Sequence, residues 1–165
     1  CRRSSKHKKM SSKICDHTPV GMCVGKDDKL LLIERGKPPY GCAGPAGHVD
    51  GDTTFEDAAE RELREEVGLN TSELTLVAEG RKENKCRREG GSWHYWKLYK
   101  VEVNGDMDRS LDETKQARWF SIDEIKKFAK RTEQYLAGKI SEKEWENDPG
   151  LETVMHEWFK ELKII

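Results

Sequence analysis

Apolar and polar residues occur in short alternating blocks through the first third of the chain. Residues 19–24 are apolar or small, residues 30–33 are all aliphatic, and the polar segment 26–28 separates them. Two such blocks around a polar turn predict the strands of a hairpin. Residues 36–51 are rich in glycine and proline and show little periodicity, which predicts a structured loop without regular elements.

A helix is predicted over residues 54–67, where apolar positions recur at helical spacing. Gly68 then marks its end, because glycine readily adopts the left-handed conformation that terminates helices. Two Thr-x-x-acid pairs are suited to cap its start: Thr53 with Glu56, and Thr54 with Asp57.

Three strands are predicted after this helix, at residues 74–80, 93–103 and 118–120, with a charged loop between the first two. The second of these strands shows strict alternation, which predicts one buried face. That face consists of Trp93, Tyr95, Lys97, Tyr99, Val101 and Val103.

The C-terminal third is predicted to be helical, over about 122–137, 141–146 and 150–162, with Ser121 as the first cap. One apolar stripe of the last helix contains Leu151, Val154, Met155, Trp158, Phe159 and Leu162. We interpret this stripe as core packing. These helices would also suit a contact in a homodimer or a lid over the substrate.

The chain length fits one domain, which we place at residues 14–165. Residues 1–13 are basic and polar and predict a disordered arm, with an RNA contact as the sharper alternative. The chain is 35% hydrophobic and 37% charged with a net charge of −1. This composition gives no overall basic field for DNA and no apolar run long enough for a membrane span.

The five cysteines form no CxxC pair and no zinc-ribbon spacing. Reduced thiols in a cytoplasmic protein are the simplest interpretation. A metal cluster of Cys15, His17 and Cys23 is the alternative, because these ligands lie close together in sequence.

Three glutamates share one face of the helix predicted over residues 54–67. Glu62, Glu65 and Glu66 stand at positions i, i+3 and i+4, so their carboxylates lie within reach of one another. A solvated charged face would explain them. A hard divalent cation, Mg²⁺ or Mn²⁺, would also explain them, because such ions prefer oxygen ligands.

The segment from residue 47 to residue 69, GHVDGDTTFEDAAERELREEVGL, resembles the signature of the Nudix hydrolases. The matching positions are Gly47, Arg61, Glu62, Leu63, Glu65, Glu66, Gly68 and Leu69. The resemblance implies an α/β fold, namely an α/β/α sandwich around a central mixed sheet. It also implies a Mg²⁺-dependent hydrolase that cleaves a phosphoanhydride bond in a nucleoside-diphosphate-linked substrate.

Site roles follow from the same resemblance. The three glutamates would hold metal ions together with the backbone carbonyl of Ala46 or Gly47, and Arg61 would orient a carboxylate of the cluster. Glu62 or a neighbour would otherwise act as general base toward water. The resemblance also implies a distant acid ahead of a Trp-Phe strand, for which Glu113 is the candidate. Asp112 and Glu124 are alternatives.

The chain departs from the signature at one position. Thr53 stands where the family has its first glutamate, and Asp50 or Asp52 would have to supply that carboxylate. This departure motivates the alternative of a catalytically reduced, nucleotide- or RNA-binding regulatory module.

No further sequence mark names the substrate. Arg35, and with it Lys37, would reach phosphate, whereas Trp93 and Trp96 would stack on a base. Surface charge and sheet packing are the competing interpretations of these residues. We expect a small nucleotide-type substrate.

Overall fold

The computed structural model describes residues 13–104 and 114–165 of the chain. Seven strands and four helices follow one another in this part of the chain. The strands are β1 (Pro19–Lys26), β2 (Lys29–Arg35), β3 (Cys42–Ala43), β4 (Ala46–His48), β5 (Asn70–Lys82), β6 (His94–Asn104) and β7 (Thr114–Ser121). The helices are α1 (Phe55–Val67), α2 (Ile122–Leu136), α3 (Glu142–Asn147) and α4 (Thr153–Glu161).

Strand β1 lies at the centre of a mixed sheet. It pairs in parallel with β6, and β6 pairs antiparallel with β5. On its other side, the first residues of β1 pair antiparallel with β4, and its last residues form a tight hairpin with β2. Strand β2 then continues away from β1 and pairs antiparallel with β7 and β3.

Both faces of this sheet are covered by helices. Helix α1 packs on one face, where Val20 and Met22 of β1 meet Leu63 in one apolar cluster. Helices α2 and α4 pack on the opposite face, where Leu98 of β6 and Trp158 of α4 share a second cluster. The two clusters confirm the predicted α/β/α sandwich, because a sheet buried on both faces needs a helical layer on each.

Local sequence signals set the limits of α1 and α2. The Thr54 hydroxyl accepts a hydrogen bond from the Asp57 amide at the start of α1, and Gly68 ends this helix in the left-handed conformation. Ser121 and Glu124 form a reciprocal capping box at the start of α2. The predicted caps are therefore correct, with Thr54 used rather than Thr53.

Two predictions about the strands are wrong. The segment 36–51 contains the short strands β3 and β4 rather than loop alone. Strand β6 is not buried on the predicted face only, since His94, Trp96 and Leu98 on its other face are also buried, whereas Tyr95 is exposed. Buried and exposed residues do not alternate strictly along β6, because helices cover both faces of the sheet.

The apolar stripe around α4 is confirmed as core packing, with Leu151, Val154, Met155, Trp158 and Phe159 all buried within the chain. In the described residues, no helix is both long and apolar enough to cross a membrane. The predicted extra acid Glu113, its alternative Asp112, and residues 1–12 of the predicted arm lie outside the described residues.

Candidate active site

Strand β4 and helix α1 meet at a glycine. A Cβ on Gly47 would lie 2.1 Å from Cδ and 2.2 Å from Oε1 of Glu62. Only glycine therefore allows the backbone of β4 to approach this carboxylate so closely. This contact explains in physical terms why the sequence pattern begins with a glycine fifteen residues ahead of the glutamate.

Two glutamates of α1 lie side by side against β4. The buried carboxylate of Glu66 accepts a hydrogen bond of 3.2 Å from the Ala46 amide. It also interacts with the carboxyl group of Glu62. Burial raises the pKa of Glu62, against the opposing charge of Arg61. Two carboxylates held together at low solvent exposure repel each other unless a proton or a cation lies between them.

Arg61 connects the helix to the loop before it. Its guanidinium donates to Asp52 at 2.8 Å, to Glu62 at 2.7 Å, to Glu65 at 3.2 Å and to the His48 carbonyl at 2.8 Å. Burial opposes its charge, but the carboxylates of Asp52 and Glu62 more than offset this and raise the pKa of Arg61. Arg61 therefore stays charged and fixes Glu62 in place.

Asp52, next to Thr53, supplies a carboxylate in place of the missing signature glutamate. Thr53 is exposed and hydrogen-bonds Asp57 on the outer side of α1. Asp52 provides the carboxylate that faces Arg61, whereas Asp50 pairs with Arg88. Of the two candidates considered from the sequence, the structure brings Asp52 into the cluster.

Glu65 takes a different position from the other two glutamates. Its side chain is 57% exposed and points to Arg61. Among the described residues, Glu62, Glu65 and Glu66 do not gather three carboxylate oxygens as closely as a ligand set requires. The structure thus presents Glu62 and Glu66 as a pair, with Glu65 at the rim.

A pocket opens in front of this pair. It brings together seven of the residues singled out from the sequence: Arg35, Lys37, Ala46, Gly47, Glu62, Glu66 and Trp96. Its wall also carries the cationic side chains Lys85, Arg87 and Arg88. Clustered cations beside carboxylates that could hold a metal suit a substrate rich in phosphate oxygens.

The two tryptophans differ in position. Trp96 lines the pocket but is only 6% exposed, and its Nε1 donates to the Asn84 side chain at 3.1 Å. Trp93 does not line the pocket; it stacks on His17 with ring centroids 4.0 Å apart, beneath the guanidinium of Arg81. The structure therefore brings one of the two predicted stacking residues to the pocket.

Glu152 was missed by the sequence reasoning. It is buried at the start of α4, lines the pocket, and lies 3.7 Å from Nε of Arg35. Burial raises its pKa, against the charge of Arg35. Gly41 makes room for it, since a Cβ there would lie 2.4 Å from the Glu152 amide nitrogen. An acid directly before an apolar helix was the only signal in the sequence.

Two other predicted ligands are engaged elsewhere. Glu124, the alternative to Glu113, caps α2 and pairs with Arg118 at 3.0 Å. The cluster of Cys15, His17 and Cys23 does not form, because Cys23 is packed in the core and Nδ1 of His17 contacts the Trp93 carbonyl. Cys15 instead contacts His48 and His94, two histidines distant in sequence.

The wall of the pocket next to β4 is formed by His48. Burial, and then the charge of Arg88, lower the pKa of His48 to about 4. Its ring is therefore neutral at physiological pH and keeps a nitrogen lone pair.

Comparison with known proteins gives one consistent family. A family model described as NUDIX domain matches residues 16–139. An ADP-ribose pyrophosphatase of Methanocaldococcus jannaschii is 33% identical over 109 residues, which cover 64% of this chain and 62% of that protein. The putative nudix hydrolase 1 of Caenorhabditis elegans is 30% identical over 107 residues, which cover 62% of this chain but 27% of that protein.

A solved structure of similar fold is the NUDIX hydrolase from Nitrosomonas europaea. It is 29% identical with a TM-score of 0.58, and the match covers 74% of this chain and 90% of that one. The described sheet and helices thus follow an architecture already seen in that structure. By contrast, the matches span between about a quarter and two thirds of the two curated relatives.

Proposed function

Because the chain belongs to the Nudix family, we propose that it is a Mg²⁺-dependent hydrolase of phosphoanhydride bonds in nucleoside-diphosphate-linked compounds. Mn²⁺ is the other ion with suitable chemistry. The observation that carries the proposal is the pair of Glu62 and Glu66, held against Gly47 at the base of a pocket with cationic walls.

The residues present fit a hard divalent cation. Glu62 and Glu66 supply only oxygen ligands, and their carboxyl groups interact with each other at the base of the pocket. Because Gly47 has no side chain, the backbone of β4 with its carbonyl groups lies directly beside the Glu62 carboxylate. A cation between Glu62 and Glu66 would remove the repulsion between these two carboxylates.

The residues would divide the work as follows. Glu62 and Glu66 would hold the ion, with the carbonyl of Ala46 or Gly47, and the exposed Glu65 would join when substrate is bound. Arg61 would keep Glu62 oriented through its bonds to the preceding loop. A bound Mg²⁺ supplies neutralisation of phosphate charge and a lower pKa for an attacking water.

Substrate recognition would use the opposite wall of the pocket. Arg35, with Lys37 and the cationic loop after β5, would neutralise the diphosphate. The edge of Trp96 would contact a base or ribose, whereas Trp93 stands outside the pocket. Glu152 is the third carboxylate of the pocket, beside Glu62 and Glu66, and would act on water or on a substrate hydroxyl. Glu113, outside the described residues, stays a prediction for this role.

The test is turnover on a substrate panel. Purified protein is incubated with Mg²⁺ and ADP-ribose, dinucleoside polyphosphates, nucleotide sugars or NADH, and released phosphate is measured after coupling to a phosphatase. The activity of Glu66→Gln is expected to fall at least about 10²-fold, which corresponds to about 2.7 kcal/mol of transition-state stabilisation. The activity of Glu65→Gln is expected to fall as well.

The matched control is Glu60→Gln, which makes the same chemical change at an exposed position of the same helix. It should retain wild-type turnover. The proposal is refuted if no compound of the panel is hydrolysed, or if Glu66→Gln behaves like Glu60→Gln.

The alternative function, a regulatory module without catalysis, rested only on the presence of Thr53 in place of the signature glutamate. Since Asp52 supplies the carboxylate that faces Arg61, that motivation weakens. Binding of nucleotide and Mg²⁺ without turnover is the result that would favour it. We place the activity in the cytoplasm, where thiols such as Cys23 and Cys42 stay reduced.

A further inference from the structure

Four metal-ligating side chains from four separate segments meet beside β4. Cys15 precedes β1, His48 ends β4, Cys86 lies in the loop after β5, and His94 begins β6. One ligand atom of each residue lies within 4.8 Å of every other. Sγ of Cys15 is 3.4 Å from Nε2 of His48 and 3.3 Å from Nε2 of His94.

These separations match those of a tetrahedral zinc site. With Zn–S bonds of about 2.3 Å and Zn–N bonds of about 2.0–2.1 Å, neighbouring ligand atoms of a tetrahedron lie about 3.4–3.8 Å apart. The separations of 3.3 and 3.4 Å from Sγ of Cys15 lie at the lower limit of this range, and no separation exceeds its upper limit by more than about 1 Å.

The surrounding hydrogen bonds point the ligand atoms inward. Nδ1 of His94 lies 3.0 Å from the Asn84 carbonyl. A carbonyl only accepts hydrogen bonds, so this nitrogen carries the proton and Nε2 keeps its lone pair toward the cluster. A carbonyl partner on the second ring nitrogen is the usual arrangement around metal-bound histidine.

Each of the two sulfur atoms also accepts a hydrogen bond from a backbone amide. The His17 amide donates to Sγ of Cys15 at 3.3 Å, and the Arg88 amide donates to Sγ of Cys86 at 3.4 Å. The loop is folded tightly around Cys86, since a Cβ on Gly91 would lie 2.2 Å from its sulfur. Amide donors stabilise negative charge on sulfur, which is the form that binds metal.

We propose that Cys15, His48, Cys86 and His94 hold a structural Zn²⁺ ion. Two thiolates and two imidazoles in a tetrahedral arrangement select zinc over the hard ions preferred by the glutamates of α1. The protein supplies all four ligands, so the ion would have no open position for substrate and would act as a cross-link. The zinc ligands are distinct from the glutamates proposed for catalysis, although His48, Cys86 and His94 line the same pocket. The proposal does not depend on catalysis.

The cross-link would reinforce a region where segments distant in sequence already meet. The segment before β1 reaches the loop after β5 through the Cys15 amide, which donates to the Glu89 carbonyl at 2.8 Å. The ion would add β4 and the start of β6 to this contact. It would thereby hold the loop that lines the pocket with Lys85, Arg87 and Arg88.

The first test is the zinc content of protein purified from medium supplemented with zinc. Wild type is expected to carry one equivalent of zinc by elemental analysis. Cys86→Ala is expected to lose nearly all of it. Cys23→Ala is the matched control, because Cys23 is a buried thiol of the core, outside the cluster. It should keep the full equivalent.

A second measurement uses the unmodified chain, in case Cys86→Ala fails to fold. Replacement of the bound metal by Co²⁺ should produce the intense visible bands of tetrahedral cobalt together with a thiolate charge-transfer band. Excess Zn²⁺ should abolish both. Glu66→Gln should keep its zinc while losing hydrolysis, which separates failure of this proposal from failure of the proposed function.

Three results would overturn the proposal. The first is wild-type protein with far less than one equivalent of zinc and no cobalt spectrum. The second is equal zinc content in Cys86→Ala and Cys23→Ala, which would place the metal elsewhere. The third is a disulfide between Cys15 and Cys86, detected by intact mass in protein purified with zinc under reducing conditions.

Discussion

Replacing Gly47 by alanine is the sharpest test of the site geometry. The added Cβ would lie 2.1 Å from Cδ of Glu62, whereas non-bonded carbon atoms approach to about 3.5–4.0 Å. Glu62 or strand β4 must therefore move by more than about 1 Å, since the missing distance is about 1.5 Å. Either movement separates the Glu62 carboxylate from its position beside Glu66.

The expected cost follows from this displacement. Misplacing a catalytic group by about 1 Å lowers rates by about 10²-fold. For Gly47→Ala we therefore expect kcat/KM to fall by about 10²-fold, or about 2.7 kcal/mol. The assay is steady-state hydrolysis of the best substrate of the panel at saturating Mg²⁺, with a thermal melt to verify folding.

Gly51→Ala is the matched control. Gly51 lies in the same loop between β4 and α1, and a Cβ there meets no atom within 4 Å. It should therefore retain wild-type kcat/KM. The reasoning fails if Gly47→Ala keeps kcat/KM within about threefold of wild type while remaining folded, or if the two variants lose activity equally.

Two further predictions concern the carboxylates around the site. Asp52→Asn should lower kcat/KM about tenfold, or about 1.4 kcal/mol, because it removes the charge that orients Arg61. Thr53→Ala should keep kcat/KM near that of wild type. A larger loss in Thr53→Ala than in Asp52→Asn would contradict the assignment of Asp52 as the carboxylate that faces Arg61. Glu152 has a raised pKa, so the folded state binds more protons than the unfolded one, and stability falls as pH rises from about 4.5 through the raised value. Glu152→Gln should abolish this loss, so that its melting temperature gains on wild type as the pH rises above about 4.5. A pH-independent difference would refute the argument.

The parts of the site that the sequence could predict are those set by local spacing. The helix with its caps follows from helical periodicity, Thr54 and Gly68, and the grouping of Glu62 with Glu66 follows from their separation of four residues. The sequence also limited the replacement for the signature glutamate, which is absent at Thr53, to two candidates, Asp50 and Asp52. The choice between them needed the direction of the Arg61 side chain.

The parts that the sequence could not predict depend on contacts between distant segments. Strands β3 and β4 contain two and three residues, too few to show any alternation, and they exist because β2 and β1 supply their partners. Likewise, Glu152 reaches the pocket only because α4 packs across the sheet. No spacing rule along the chain contains that information.

Strand β4 shows why catalysis in this fold would depend on more than the signature helix. Its three residues make successive contacts: the Ala46 amide with Glu66, the Cα of Gly47 with Glu62, and the His48 carbonyl with Arg61. The helix can present its carboxylates correctly only if this strand is fixed in position. Pairing with β1 fixes it on one side. On the other side the ring of His48 lies against Cys15, so a zinc ion bound there would fix the same residue whose carbonyl orients Arg61.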